Sequence, residues 1–138
     1  DAVYGGELSA HHYFRDFVFC DSGMIPWLLV AGIMGRTGQP LSALIAARRA
    51  AFPSSGEINF TLSDAAAARA RVETEFAPRA IARDETDGLS LDMGAWRFNL
   101  RASNTEPLLR LNVETRGDRD LLARQVARLG ALIRDETG

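Results

Sequence analysis

The hydrophobic period of this chain changes once, at Phe52-Pro53-Ser54-Ser55-Gly56. Ahead of that cluster of turn formers, apolar residues fall in runs or at helical spacing. After it they alternate with polar residues. Side chains return to one face about every 3.6 residues in a helix and every second residue in a strand. One continuous element cannot serve both patterns. The chain therefore reads as two parts, 1–53 and 54–138.

The first part is mostly helical. Ala2-Val3-Tyr4 is a short strand-like run that Gly5-Gly6 breaks. Asp21-Ser22-Gly23 offers capping side chains ahead of Met24-Ile25-Pro26-Trp27-Leu28-Leu29-Val30, and Pro26 suits a first turn. Glycines 35 and 38 end that helix. Pro40 opens another through about Ala51, with Leu41, Leu44 and Ile45 on one side. Residues 22–35 carry no charge, yet they fall short of the roughly 20 apolar residues of a membrane span. They predict a buried helix. With one short strand and no sheet to cover, residues 1–53 read as the mostly helical tail of an α/β domain. The chain opens without an initiator methionine or a signal peptide, and it is expected to be a piece of something longer.

The second part reads as a complete unit. Ile58, Phe60 and Leu62 alternate with polar neighbours as a half-buried strand. Ser63-Asp64 caps a helix to Phe76 whose apolar stripe is Ala65, Ala68, Val72 and Phe76. Strand patterns recur near 80–84, at 89–93, at Trp96/Phe98/Leu100 and at Leu109/Leu111/Val113. Asp87-Gly88 offers a tight two-residue hairpin turn with both residues at positive φ. A long helix from about Arg119 to Asp135, capped by Asp118, buries Leu122, Val126, Leu129 and Ile133. Residues 54–138 are summarised as a two-layer β-α-β-β-β-α domain, an antiparallel sheet with helices on one face. The fold class is α+β. Ser54-Ser55-Gly56 reads as a hinge.

Composition excludes several classes. The 138 residues are 46% hydrophobic and 25% charged, as in soluble globular proteins. A net charge of −2 gives no electrostatic reason to bind nucleic acid or an anionic membrane. The single cysteine, Cys20, cannot form an internal disulfide, so a reducing, cytoplasmic compartment fits best; it reads as a packed, unreactive thiol. All 16 basic residues are arginine. Lysine chemistry is absent, and every anion must be met by guanidinium, which suits two-point recognition of phosphate.

Two segments concentrate polar chemistry. Arg101-Ala102-Ser103-Asn104-Thr105-Glu106-Pro107 joins two strands and gathers a guanidinium, hydroxyls, an amide and loop N–H groups, the set a phosphate dianion takes. A polar hairpin loop has the same composition, and Glu106 opposes an anion unless it points away. Gly5-Gly6-Glu7-Leu8-Ser9-Ala10-His11-His12 delivers a carboxylate, a hydroxyl and two imidazoles. If the segment is extended, Glu7 and Ser9 share a side suited to vicinal sugar hydroxyls, and His11 is able to move a proton near neutral pH. The His-His pair lacks the further ligands of a zinc site.

Together these segments resemble the α-D-phosphohexomutase family, with the Gly5–His11 stretch similar to its sugar-binding loop and the Arg101–Pro107 stretch similar to its phosphate-binding loop. Residues 11–17, 20–29 and 96–114 resemble the bacterial phosphomannomutase branch in particular. The resemblance implies a four-domain enzyme, of which residues 1–53 would end domain 3 and residues 54–138 would form a TBP-like domain 4. It implies interconversion of mannose 6-phosphate and mannose 1-phosphate through a hexose 1,6-bisphosphate, with a phosphoserine and Mg²⁺ supplied by upstream domains of the same polypeptide. Glu7 and Ser9 would hold sugar hydroxyls, and His11 would be the candidate proton carrier. Arg101, Ser103, Asn104 and Thr105 would grip the phosphate that is not transferred. Ala10 departs from the family, where glycine is common. No Asp-x-Asp-x-Asp and no phosphoserine motif occur in the chain, which is expected to be inactive alone. Glucose phosphate, or dual mannose/glucose specificity, is the alternative within the family. A non-catalytic sugar-phosphate-binding module is the alternative outside it.

Overall fold

A computed structural model of the chain describes residues 2–7, 10–103 and 107–134. It divides into two compact units, Asp1–Ala47 and Arg48–Gly138.

The first unit opens with a small antiparallel pair, β1 (Tyr4–Gly6) and β2 (His12–Phe14), with Gly5 opposite Tyr13. The expected strand break at Gly5-Gly6 is therefore corrected: both glycines lie inside β1, and this part has a two-stranded sheet of its own. The cause is Tyr4. Its ring folds back over Gly6, where a Cβ would stand 2.5 Å from the Tyr4 hydroxyl oxygen, and packs against Phe14 at 5.2 Å. A 3-10 turn (Arg15–Phe17) leads to α1 (Met24–Thr37), whose entry is closed by Ser22 Oγ accepting from Ile25 N. Then comes α2 (Leu41–Ala51), which runs on into the second unit.

Helix α1 corrects a second expectation. It has no buried residue, and Met24, Trp27, Leu28 and Leu29 are each more than half exposed. The charge-free run makes a helix, but its apolar side chains are exposed or at most half-buried. Cys20 is likewise exposed rather than packed.

The second unit is a five-stranded antiparallel sheet in the order β3-β7-β6-β5-β4, with α3 and α4 packed on one face. Its elements are β3 (Ile58–Thr61), α3 (Ala65–Phe76), β4 (Ala82–Asp84), β5 (Leu89–Asp92), β6 (Trp96–Ala102), β7 (Leu108–Thr115) and α4 (Arg119–Arg134). The β-α-β-β-β-α summary is one strand short, because β4 pairs fully with β5 although it is only three residues long and exposed. Alternation puts Phe60, Leu89, Leu91, Phe98, Leu100, Leu109, Leu111 and Val113 into one core with Ala68, Val72 and Phe76 of α3 and Leu129 and Ile133 of α4. Burying each of these side chains larger than alanine stabilises the fold by about 1.5–3 kcal/mol. Asp64 caps α3 by accepting from Ala67 N at 2.8 Å, and Asp118 caps α4 from Leu121 N at 2.7 Å. Arg71 of α3 donates to the last carbonyls of α4, Leu132 O and Ile133 O, both at 3.0 Å. A cation at a helix C-terminus meets the negative end of its dipole.

The residues read as a hinge are tied to the sheet. Thr115 N donates to Pro53 O, Ser55 N to Val113 O, and Val113 N to Ser55 Oγ. Residues 53–55 thus continue the edge that β3 occupies on β7.

The turn between β4 and β5 is wider than a two-residue loop, since Asp84 pairs with Ser90. Of Asp87 and Gly88, only Gly88 has positive φ (+77°), and a Cβ there would stand 2.6 Å from Leu100 O and 2.9 Å from Arg101 Cα. Gly88→Ala is expected to cost about 2–4 kcal/mol, from left-handed strain and overpacking. A denaturant midpoint would measure it; a loss below about 1 kcal/mol would show that the turn yields.

Candidate functional site

The polar residues singled out by the sequence fall on two surfaces, one in each unit. On the first unit the β1–β2 hairpin closes through Glu7 N to His11 O at 2.9 Å and Ala10 N to Glu7 O at 3.0 Å. Ser9 lies outside the described residues. Ala10 has φ +66°, a left-handed conformation that glycine adopts without cost. The departure from the family's glycine therefore falls where backbone conformation matters.

Glu7 Oε1 accepts from Tyr13 Oη at 2.8 Å. That bond raises the Tyr13 phenol above its ordinary value, because ionisation would remove the proton the carboxylate holds. His11 faces Asp21, with Nδ1 2.7 Å from Oδ2. The other oxygen of Asp21 accepts from His12 N at 2.9 Å. The sequence offers Asp21 as a capping side chain; its carboxylate instead joins the hairpin to the segment before α1. Its hydrogen bond, and then its charge, raise His11 above the ordinary 6.5. The His11 bond, followed by the His12 amide, lowers Asp21 below 3.8. Folding-linked stability from His11 is complete below its unfolded value and is lost as pH rises through the raised one. That from Asp21 is present above 3.8 and is lost as pH falls through the lowered one. The pair is thus fully charged between those limits. His12 turns to Tyr4, its Nδ1 2.8 Å from Oη. The signal for Asp21 lay ten residues from His11 and became visible only when Tyr13 bridged to Asp21.

On the second unit Arg101 lies near the end of β6, directly opposite Arg110 of β7. Both occupy the sheet face away from the helices, where alternation also puts Asn99 and Asn112. Arg101 donates to Asp87 Oδ2 at 3.1 Å and lies 3.7 Å from Glu57 Oε2, while Glu57 Oε1 is 3.8 Å from Arg110 Nε. Neither contact with Glu57 is within hydrogen-bonding distance. Glu57, Asp87 and Arg110 carry no sequence signal for this site: register brings Arg110 opposite Arg101, while Glu57 comes from the residue before β3 and Asp87 from the β4–β5 turn. Ser103 N donates to Leu108 O at 2.8 Å, so that loop N–H serves the hairpin and is not a phosphate donor. Asn104 and Thr105 lie outside the described residues, as does Glu106.

Among the described residues no group of three or more His, Cys, Asp or Glu could hold a metal ion. No described single helix is long and apolar enough to cross a membrane.

Residues 1–52 match the family model for phosphoglucomutase/phosphomannomutase alpha/beta/alpha domain III. Residues 57–131, more than half the chain, match the model for the C-terminal domain of the same proteins. This chain belongs to the phosphoglucomutase/phosphomannomutase family. It is 65% identical over 122 residues to a phosphomannomutase of Salmonella montevideo, an alignment covering 88% of this chain and 27% of that protein. It is 58% identical over 134 residues to a protein of Xanthomonas campestris named for phosphohexose mutases, covering 97% of this chain and 30% of the relative. The chain thus spans less than a third of the length of these relatives. A crystal structure of a family protein from Burkholderia thailandensis shares the fold, with a TM-score of 0.68 at 22% identity over 96% of this chain and 29% of that one.

The Glu7–Tyr13 bond is open to a direct check. In an alkaline absorbance titration of the chain, Tyr13 should ionise above the ordinary phenol value of 10.0, and Glu7→Gln should bring it down. A Tyr13→Phe variant identifies the signal. An unchanged curve in Glu7→Gln would mean that the carboxylate does not hold the phenol.

Proposed function

We propose that this chain supplies sugar-hydroxyl and phosphate contacts in a phosphomannomutase that interconverts mannose 6-phosphate and mannose 1-phosphate through a hexose 1,6-bisphosphate. The observation that carries the reading is the identity to named phosphomannomutases across both loop-bearing segments, 65% in one case. In this reading residues 1–53 are the end of domain 3 and residues 54–138 are domain 4. The catalytic phosphoserine and the Mg²⁺ ligands belong to upstream domains of the same polypeptide. The uncovered apolar side chains of α1 are the surface such a layer would bury. The complete protein acts in the cytoplasm. Mg²⁺ would neutralise phosphoryl charge; the residues of this chain would bind and orient.

Positioning and charge neutralisation dominate phosphoryl transfer. Arg101 supports a phosphate role because its guanidinium sits on a rigid strand, is 31% exposed and meets, among the described residues, the exchangeable carboxylates of Asp87 and Glu57. A phosphate dianion would replace Asp87 and Glu57 with charge-assisted bonds, which are stronger than those to neutral groups. Ser103, Asn104 and Thr105 would complete that grip from the loop. Glu7 and Ser9 would hold sugar hydroxyls, with Tyr13 fixing the Glu7 carboxylate. His11 would carry the proton at the reacting hydroxyl.

Glucose and mannose phosphates share most of the hydroxyls these residues would read, so a rate comparison of the complete polypeptide on mannose 1-phosphate and glucose 1-phosphate is the test of substrate. A preference for mannose 1-phosphate is expected; a large preference for glucose 1-phosphate overturns it. In the same protein Arg101→Ala should lower kcat/KM by more than about tenfold, roughly 1.4 kcal/mol of transition-state stabilisation. A smaller fall would remove Arg101 from the phosphate grip.

A further inference from the structure

We propose that Asp21 is a positioning residue for His11, fixing its imidazole as the Nδ1–H tautomer so that Nε2 is the atom that takes and returns the proton. The proposal rests on the reading of His11 as the proton carrier and adds to it a second residue and a named atom.

The geometry argues it from three contacts. A carboxylate can only accept, so the 2.7 Å contact between His11 Nδ1 and Asp21 Oδ2 requires the proton on Nδ1. The neutral ring then presents an unprotonated Nε2. The second oxygen of Asp21 is anchored by His12 N at 2.9 Å, and Ser22 N donates to His12 O at 3.0 Å. The carboxylate is thus fixed from both sides of its own backbone, and it fixes the ring in turn. The His11 side chain remains 52% exposed, so the free edge of the ring is open to a ligand.

The charged neighbours of His11 have separate tasks. Glu7, across the hairpin turn, is engaged by Tyr13 and adds only a weaker attraction. Arg15 and Asp16, on the turn after β2, pair with each other at 3.2 Å. His12 points to Tyr4. Asp21 is the carboxylate in direct contact with the His11 ring among the described residues. A group that orients an imidazole and stabilises its protonated form sets which nitrogen works and over what pH range.

The experiment uses the complete polypeptide with isotope-labelled histidine, and the His11 signal is assigned by its loss in His11→Gln. The nitrogen correlations should show neutral His11 as the Nδ1–H tautomer; the Nε2–H tautomer would overturn the proposal with no substitution made. Asp21→Asn keeps an oxygen for His12 N, and Asp21→Glu keeps the charge. In Asp21→Asn the proton affinity of His11 should fall by about threefold or more, and the acidic limb of the turnover profile should move by the same factor. Asp21→Glu should restore much of both. A purely structural Asp21 would leave tautomer and titration midpoint in Asp21→Asn where they were, and that result overturns the pairing. Undiminished turnover in His11→Gln would instead overturn the proton-carrier reading, so the two failures appear in different signals.

Discussion

Strand β7 is hydrogen bonded along both edges, to β6 on one side and to β3 and residues 53–55 on the other. Its alternating residues Leu109, Leu111, Val113 and Thr115 are all buried. A slip of one residue would turn every one of them to the polar face and bring Arg110, Asn112 and Glu114 into the core. The cost of burying unpaired charge forbids that. This single register therefore holds the sheet, places β6 beside it, and puts Arg101 opposite Arg110. Gly88 reinforces the arrangement from the far side by admitting the β4–β5 turn against the backbone of Leu100 and Arg101. The candidate phosphate-gripping arginine is thereby fixed by packing on the opposite face of the sheet.

The first unit is held by a different kind of force. No described residue of 2–47 is buried, so hydrophobic burial does not organise the hairpin. Packing of the Tyr4 ring on Phe14 and directed polar contacts do: Glu7 with Tyr13, Asp21 with His11 and His12 N, and Tyr4 with His12. Such contacts are individually worth little at an exposed site. They do specify where each functional group points. The residues that close the loop include Glu7 and His11, to which the proposed function assigns the sugar hydroxyl and the proton.

The alternation of Phe60, Phe98, Leu109 and their neighbours made the sheet legible in sequence, because a strand with one buried face must alternate. Asp64 and Asp118 marked two helix starts for an equally local reason: the cap bonds amides within three residues. The two polar loops were legible as concentrations of donors and acceptors. What was not legible depended on residues far apart in the chain. Gly5-Gly6 read as a break because a tyrosine ring lying over Gly6 leaves no local trace. Residues 53–55 read as a hinge because their partners are on β7. Asp21 read as a cap because its true partner, His11, lies ten positions earlier.

The sequence by itself determined the change of period at residues 52–56, the elements on either side of it, the reliance on guanidinium for anions, and the two loops. These follow from spacing and composition, which are properties of a local stretch of chain. Only the tertiary structure decided that Arg101 faces Arg110 across Glu57, that Asp21 holds His11, and that α1 leaves its apolar residues uncovered. Pairing across strands and burial against distant elements join residues that no local pattern connects, and those contacts are settled only when the whole chain packs.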